Sequence, residues 1–100
     1  MRINIQSVHF NADRKLIDFI HEKVGKLNTF YDGIINSEIT LRLDKSSTSD
    51  NKISEIKMQG KGQEFFAKKQ CVSFEEATDL ACEALKSQIQ KHKSKLYEKQ

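Results

Sequence analysis

The sequence of 100 residues contains no proline, no tryptophan and only two cysteines. Cys71 and Cys82 form no CxxC pair and have no histidine at metal-ligand spacing, so we interpret them as two reduced thiols rather than a disulfide framework. The lack of proline, with 37% hydrophobic and 31% charged residues, indicates a globular chain rather than a disordered one. At this length the chain forms one domain with a modest core.

Long apolar segments are also missing. No run approaches the roughly 18 uninterrupted apolar residues that a membrane span requires. The N-terminus, MRINIQSVHF, alternates apolar and polar residues and lacks the apolar core of a signal peptide. We therefore expect a cytoplasmic protein that does not enter a membrane.

Motifs for catalysis and cofactor binding are missing too. His9, His21 and His92 are too scattered to form a metal site, and neither an HExxH motif nor carboxylates at catalytic spacing accompany them. Residues 60–62, GKG, are typical of a hairpin turn and form no glycine-rich phosphate loop. We predict that the protein is not an enzyme and that it has no metal, no cofactor and no small-molecule substrate.

The first thirty residues predict a strand and a helix. Ile3 and Ile5 alternate with polar residues, and Val8 lies near the same period, which predicts a strand over residues 2 to 8. Asn11 is a good N-cap for an amphipathic helix from about 12 to 30. The apolar stripe of this helix keeps spacings of three and four residues: Leu16, Ile17, Ile20, Val24 and Leu27.

Three further strands and a second helix are predicted. Apolar and polar residues alternate in the next run, and one side is expected to carry Ile35, Ser37, Ile39, Leu41 and Leu43. After a polar connection over 45–51, a third strand is marked by Ile53, Ile56 and Met58. A fourth runs from Phe65 to Val72, but Phe65 and Phe66 point to opposite faces, so its phase stays open. The last helix spans about 74 to 97.

This order, βαβββα, defines an α+β fold. A right-handed βαβ unit makes the first two strands parallel, and the short later connections favour an antiparallel meander. We expect a four-stranded mixed sheet with both helices packed on one face and a polar opposite face.

Positive charge is concentrated near the end of the chain. The first fifty residues have seven Lys/Arg and seven Asp/Glu, whereas the second fifty have ten and seven, with the excess after residue 85. Such a basic helix surface contacts nucleic-acid phosphates, or it is a solvated face that complements the helix dipole. A membrane surface is less favoured because the helix lacks a large Trp/Phe/Leu face.

Residues across the whole chain carry a family resemblance. In the first half they are Ile3, Asn4, Ile5, Leu16, Phe19, Lys23, Lys26, Leu27, Phe30, Tyr31 and Asp32. In the second half they are Ala77, Asp79, Leu85, Gln88, Ile89, Lys91, His92, Lys93, Lys95 and Leu96. Their order and spacing resemble the short ribosome hibernation promoting factors, ribosome-associated inhibitors also called sigma-54 modulation proteins.

The resemblance implies a single ribosome-binding domain over residues 1–100, without the second, dimerising domain of long members. It implies binding to rRNA of the small ribosomal subunit in the mRNA/tRNA channel, and hence inhibition of translation in idle cells. With Lys86 added as a basic residue particular to this chain, the expected rRNA contacts are Lys23, Lys26, Lys86, Lys91, His92, Lys93 and Lys95.

This chain departs from the family pattern in its last helix. Where the family has a tyrosine near the helix start and basic residues in the middle, this chain has Glu75, Ala84 and Ser87. These departures either lower the expected affinity or move contacts to basic residues of this chain's own: Lys68, Lys69 and Lys86.

Two alternatives stay open on the residues alone. A general double-stranded-RNA-binding or RNA-chaperone domain of similar shape would bind bare duplexes as well as ribosomes. Phe30 and Tyr31 could stack on a base, but at the end of an apolar stripe they are more typical of lids over the core.

Overall fold

The computed structural model describes residues 1–45 and 49–98, with side chains described up to residue 95. The predicted α+β class and βαβββα order are confirmed. The elements are β1 (Arg2–Ser7), α1 (Arg14–Phe30), β2 (Ile34–Leu43), β3 (Lys52–Gly60), β4 (Gln63–Cys71) and α2 (Phe74–Glu98). The predicted core contact of Leu96 lies outside the described side chains.

The four strands form one mixed sheet in the order β1-β2-β3-β4. β1 pairs with β2 in parallel, and the two later pairings are antiparallel, as predicted. β3 and β4 are joined by a tight turn in which Gly62 has a φ of +85°, a conformation that favours glycine. β1 and β4 are therefore the edges of the sheet.

Both helices cover the same face of the sheet and enclose the core. The largest fully buried side chains of the two helices include Ile20 and Val24 of α1 and Leu85 and Ile89 of α2. Burial of each such side chain contributes about 1.5 to 3 kcal/mol. Within the described part of the chain, neither helix is long and apolar enough to cross a membrane.

The start of α1 differs from the prediction. The N-cap is Asp13, not Asn11, and its Oδ1 accepts a hydrogen bond from the Leu16 amide at 2.9 Å. The preceding residues form an irregular connection in which His9 has a φ of 65° and the Phe10 ring stacks on Phe74 at 5.0 Å. Because of this connection, the helix begins at Arg14 and not at about residue 12.

Two strand orientations also needed the structure. Near the start of β2 a register shift between Ile34 and Asn36 breaks the alternation, so Ile34 is 4% exposed and Ile35 is 58% exposed. The prediction that Ile35 faces the core is therefore wrong. In β4 the phase is settled, because Phe65 is buried against the helices and Phe66 is half exposed on the opposite face. That opposite face is consequently less polar than predicted.

The side chain of Gln88 in α2 is hydrogen-bonded to the backbone of the edge strand β4. Its Nε2 donates to the Phe66 carbonyl at 2.7 Å, and its Oε1 accepts from the Phe66 amide at 3.3 Å. These two bonds attach α2 to the β4 edge, beside the buried stripe of Leu85 and Ile89 that packs α2 on the sheet.

Candidate nucleic-acid interface

A shallow groove of about 130 Å³ runs between α1 and α2. Three of the predicted contact residues line it, Lys23 and Lys26 from α1 and Lys86 from α2. Two carboxylates, Asp79 and Glu83, line it from α2. The fold thus brings the basic residues of the two helices together, but it places acidic groups among them.

Lys23 is held by the opposite helix. Its Nζ lies 3.0 Å from Asp79 Oδ1, and the same ammonium group lies 5.7 Å from the centroid of the Phe19 ring. Hydrogen bonding to Asp79 and the charge of that carboxylate raise the pKa of Lys23 above its ordinary value. Lys23 is therefore charged, but its charge is directed into the groove.

The ring of Phe30, the last residue of α1, lies beneath two lysines of α2. Lys93 Nζ is 4.5 Å and Lys86 Nζ is 5.4 Å from the ring centroid, as cation–π contacts. Lys93 Nζ also donates a hydrogen bond to the Phe30 carbonyl at 3.2 Å. Because the last turn of α1 has no basic residue of its own, Lys93 provides the charge that complements its C-terminal dipole.

Five of the predicted contact lysines thus fall into two groups. We call Lys23, Lys86 and Lys93 the inter-helix lysines, because each contacts a residue of the other helix. We call Lys91 and Lys95 the outer lysines. Both are exposed and lie about 200° around α2 from Lys93. Neither has an ion pair or hydrogen bond with a side chain that the structure describes, so both ammonium groups face solvent.

His92 points inward. Its ring makes edge-on contacts with Tyr31 at 5.9 Å and Phe65 at 5.8 Å, and the Gln63 amide hydrogen-bonds to both His92 and Tyr31. This cluster joins the end of α1, the β3–β4 turn and α2. It confirms Tyr31 as a lid over the core, and the partly buried Phe30 also packs against the core. Direct rRNA contact by His92 stays a prediction.

The remaining predicted lysines lie apart from the inter-helix contacts. Lys26 is well exposed, with its Nζ 3.8 Å from Glu22 on the same helix. Lys68 lies on the uncovered sheet face, 4.0 Å from Glu55, whereas Lys69 alternates to the face that carries the helices. Of this chain's own basic additions, only Lys86 lines the groove.

The cysteine at the groove is chemically quiet. Cys82 is 8% exposed, and burial raises its pKa to about 12, so its thiol stays protonated near neutral pH. Both cysteines are free and buried, consistent with the prediction of reduced thiols. Among the residues that the structure describes, no group of three His, Cys, Asp or Glu side chains could hold a metal ion.

The sequence patterns left two features of this surface unidentified. They did not assign Asp79 as the partner of Lys23, because the two residues are 56 positions apart in the sequence. The two-residue spacing of Lys91, Lys93 and Lys95 spreads them around the helix, but all three were assigned the same rRNA role. The sequence does contain a signal for the distinct position of Lys93, since Lys86 and Lys93 are seven residues apart and therefore share one side of a helix.

Comparison with known proteins identifies the class. A family model described as "Sigma 54 modulation protein / S30EA ribosomal protein" matches residues 3–97, and the chain belongs to this family. The "Ribosome hibernation promoting factor" of Pseudomonas putida is 27% identical over 95 residues, covering 95% of this chain and 89% of that protein. The family and this relative indicate a ribosome-associated modulation or hibernation factor.

Solved structures show the same fold. A ribosomal subunit interface protein from Coxiella burnetii superposes with a TM-score of 0.84 at 20% identity, covering 94% of this chain and 99% of that one. The N-terminal domain of Protein Y from Thermus thermophilus superposes with a TM-score of 0.78 at 18% identity, covering 92% and 99%.

Proposed function

We propose that this protein is a cytoplasmic ribosome hibernation factor that binds the small ribosomal subunit in the mRNA/tRNA channel and inhibits translation in idle cells. Its partner in this proposal is rRNA, contacted through phosphates rather than base edges. Membership of the sigma-54 modulation family and similarity to a protein named as a hibernation promoting factor support this assignment.

The observation that carries the proposal is the exposed lysines along two adjacent helices. Lys26, Lys86, Lys91 and Lys95 are all exposed, on helices that pack side by side. Lysine suits contact with rRNA phosphates because a compact ammonium group can reach whichever oxygen is presented, without reading sequence. A factor that must bind every ribosome alike requires this kind of recognition.

The test is sedimentation of purified protein with small ribosomal subunits at a series of salt concentrations. If these four lysines each contact one phosphate, log affinity falls with log salt at a slope of about −3 to −4. A slope near zero would contradict phosphate contact.

A competition experiment tests both the binding location on the small subunit and the general RNA-binding alternative. The proposal predicts that the protein blocks initiator tRNA binding to small subunits and that excess mRNA with tRNA displaces it. Simultaneous binding of tRNA and protein would contradict occlusion of the channel. Equal affinity for a bare RNA duplex and for small subunits would favour the general RNA-binding or RNA-chaperone alternative.

A further inference from the structure

We propose that Asp79 limits the affinity of this protein for rRNA by holding Lys23 in an intramolecular ion pair. This inference rests on the proposed function. In this proposal, Lys23 contacts a phosphate only when its ion pair with Asp79 is broken, and Asp79 thereby lowers the affinity for rRNA.

The geometry of the groove supports this role. Lys23 Nζ is 3.0 Å from Asp79 Oδ1, and its side chain is only 34% exposed. The pair bridges α1 and α2 and lines the groove, so a carboxylate already occupies the ammonium group that an RNA phosphate would contact. A phosphate that contacts Lys23 must displace the carboxylate or lie close to it, and two like charges at that distance repel each other.

The charge balance of the groove leads to the same conclusion. Three lysines line it, but Asp79 and Glu83 offset two of them. Replacement of Asp79 by asparagine removes one negative charge, keeps the side-chain size and leaves Lys23 without its carboxylate partner. Lys23 then becomes available to a phosphate, which adds one contact that releases counterions.

The experiment measures the affinity of Asp79→Asn for small ribosomal subunits over a range of salt concentrations. We expect binding about three- to tenfold tighter at near-physiological salt, and a salt slope steeper by about 0.7 to 0.9. Asp79→Asn with Lys23→Gln should lose the gain, and Lys23→Gln alone should bind more weakly than the wild type because it leaves the Asp79 carboxylate without its partner. This double-mutant cycle isolates the Lys23–Asp79 coupling from a general charge effect.

Asp18→Asn is the matched control. It makes the same chemical change, adds the same net charge and breaks another ion pair of α1, in which Arg14 Nε lies 3.3 Å from Asp18. Both residues of that pair are well exposed and neither lines the groove. A general increase in positive charge would tighten the binding of both variants equally. Release of Lys23 would tighten the binding of Asp79→Asn alone.

Each outcome decides the matter. If Asp79→Asn binds no more tightly than Asp18→Asn, or binds more weakly than the wild type, the inference is overturned. Weaker binding would mean that Asp79 positions Lys23 for contact. If the wild type itself does not bind small subunits, the proposed function fails and this inference fails with it. Thermal melts of all variants confirm that each is folded during the binding measurement.

Discussion

In the C-terminal half of α2, lysines lie on two opposite sides of the helix and differ in what they contact. On the side that faces α1, Lys93 donates to the Phe30 carbonyl and lies over its ring, and Lys86 lies over the same ring. On the far side, Lys91 and Lys95 are exposed to solvent. A neighbouring helix, not the lysine itself, decides whether the charge supports the fold or meets a partner.

This difference assigns separate tasks to the two groups. The inter-helix lysines join α1 to α2 and stabilise the surface on which a partner would bind, and Lys86 among them is also exposed enough to contact a phosphate. The outer lysines have no comparable contact with the described side chains, so their loss should affect binding far more than stability.

Loss of a buried contact that holds α2 on the sheet should have the largest effect on stability. Ile89→Ala leaves a cavity at a fully buried position under α2 and is expected to lower the free energy of unfolding by about 2 to 5 kcal/mol. Both groups of lysines would lose their positions together. Denaturant unfolding measures the change, and Gln90→Ala, at the exposed neighbouring position, is the control. Equal stability of the two variants would show that α2 is not anchored by this stripe.

The outer lysines should affect binding alone. Lys91→Gln with Lys95→Gln is expected to weaken binding to small ribosomal subunits about ten- to fortyfold at near-physiological salt, because two phosphate contacts are lost. The melting temperature should stay within about 1 °C of the wild type. Lys15→Gln with Lys45→Gln removes the same charge from two other exposed positions and is the control. If both pairs weaken binding equally, the effect belongs to net charge and not to this side of α2.

Lys93 should affect stability more than either outer lysine. Lys93→Gln removes the hydrogen bond to Phe30 and the charge at the end of α1, so we expect the free energy of unfolding to fall by about 1 to 2 kcal/mol. Lys93→Arg keeps the charge and should recover most of the loss. Thermal melts of these variants beside Lys91→Gln test the distinction, and identical melting temperatures for Lys93→Gln and Lys91→Gln would remove it.

The smallest effect comes from stiffening α1 without changing any charge. Gly25 lies inside α1, and a Cβ added there would meet nothing within 4 Å. Gly25→Ala is therefore expected to raise stability by about 0.5 to 1 kcal/mol and to leave ribosome affinity unchanged. Gly62→Ala, at a φ of +85°, should destabilise the protein instead. A change in affinity with Gly25→Ala would show that the rigidity of α1 contributes to binding.

The fold could be predicted because its apolar periodicities are regular over most elements. Patterns of period two and period 3.6 identified all four strands and both helices. The predictions were wrong at two positions where local structure interrupts the regular apolar pattern. The register shift beside Ile34 turned Ile35 outward, and the connection containing Phe10 moved the helix N-cap from Asn11 to Asp13. The register shift has no residue pattern that predicts it. Asn and Asp are both preferred N-cap residues, so residue type alone does not decide between Asn11 and Asp13.

The candidate site could be predicted only as a set of residue types. Basic residues near the end of α2 are visible in the sequence, but their partners are distant in the chain. Lys23 meets Asp79 and Lys93 meets Phe30 only because α1 and α2 pack side by side. His92 was grouped with the lysines that flank it, and its inward orientation follows from contacts with Tyr31, Phe65 and Gln63.

The two hydrogen bonds between Gln88 and Phe66 also bear on self-association. An edge strand normally offers its outward backbone groups to the strand of another molecule, and this pairing leads to aggregation. At Phe66, in the middle of β4, a side-chain amide already satisfies the donor and the acceptor that an incoming strand would use. A second chain would have to displace Gln88 before it could extend the sheet across this point. The residue that anchors α2 thus also protects the exposed Phe66 segment against polymerisation.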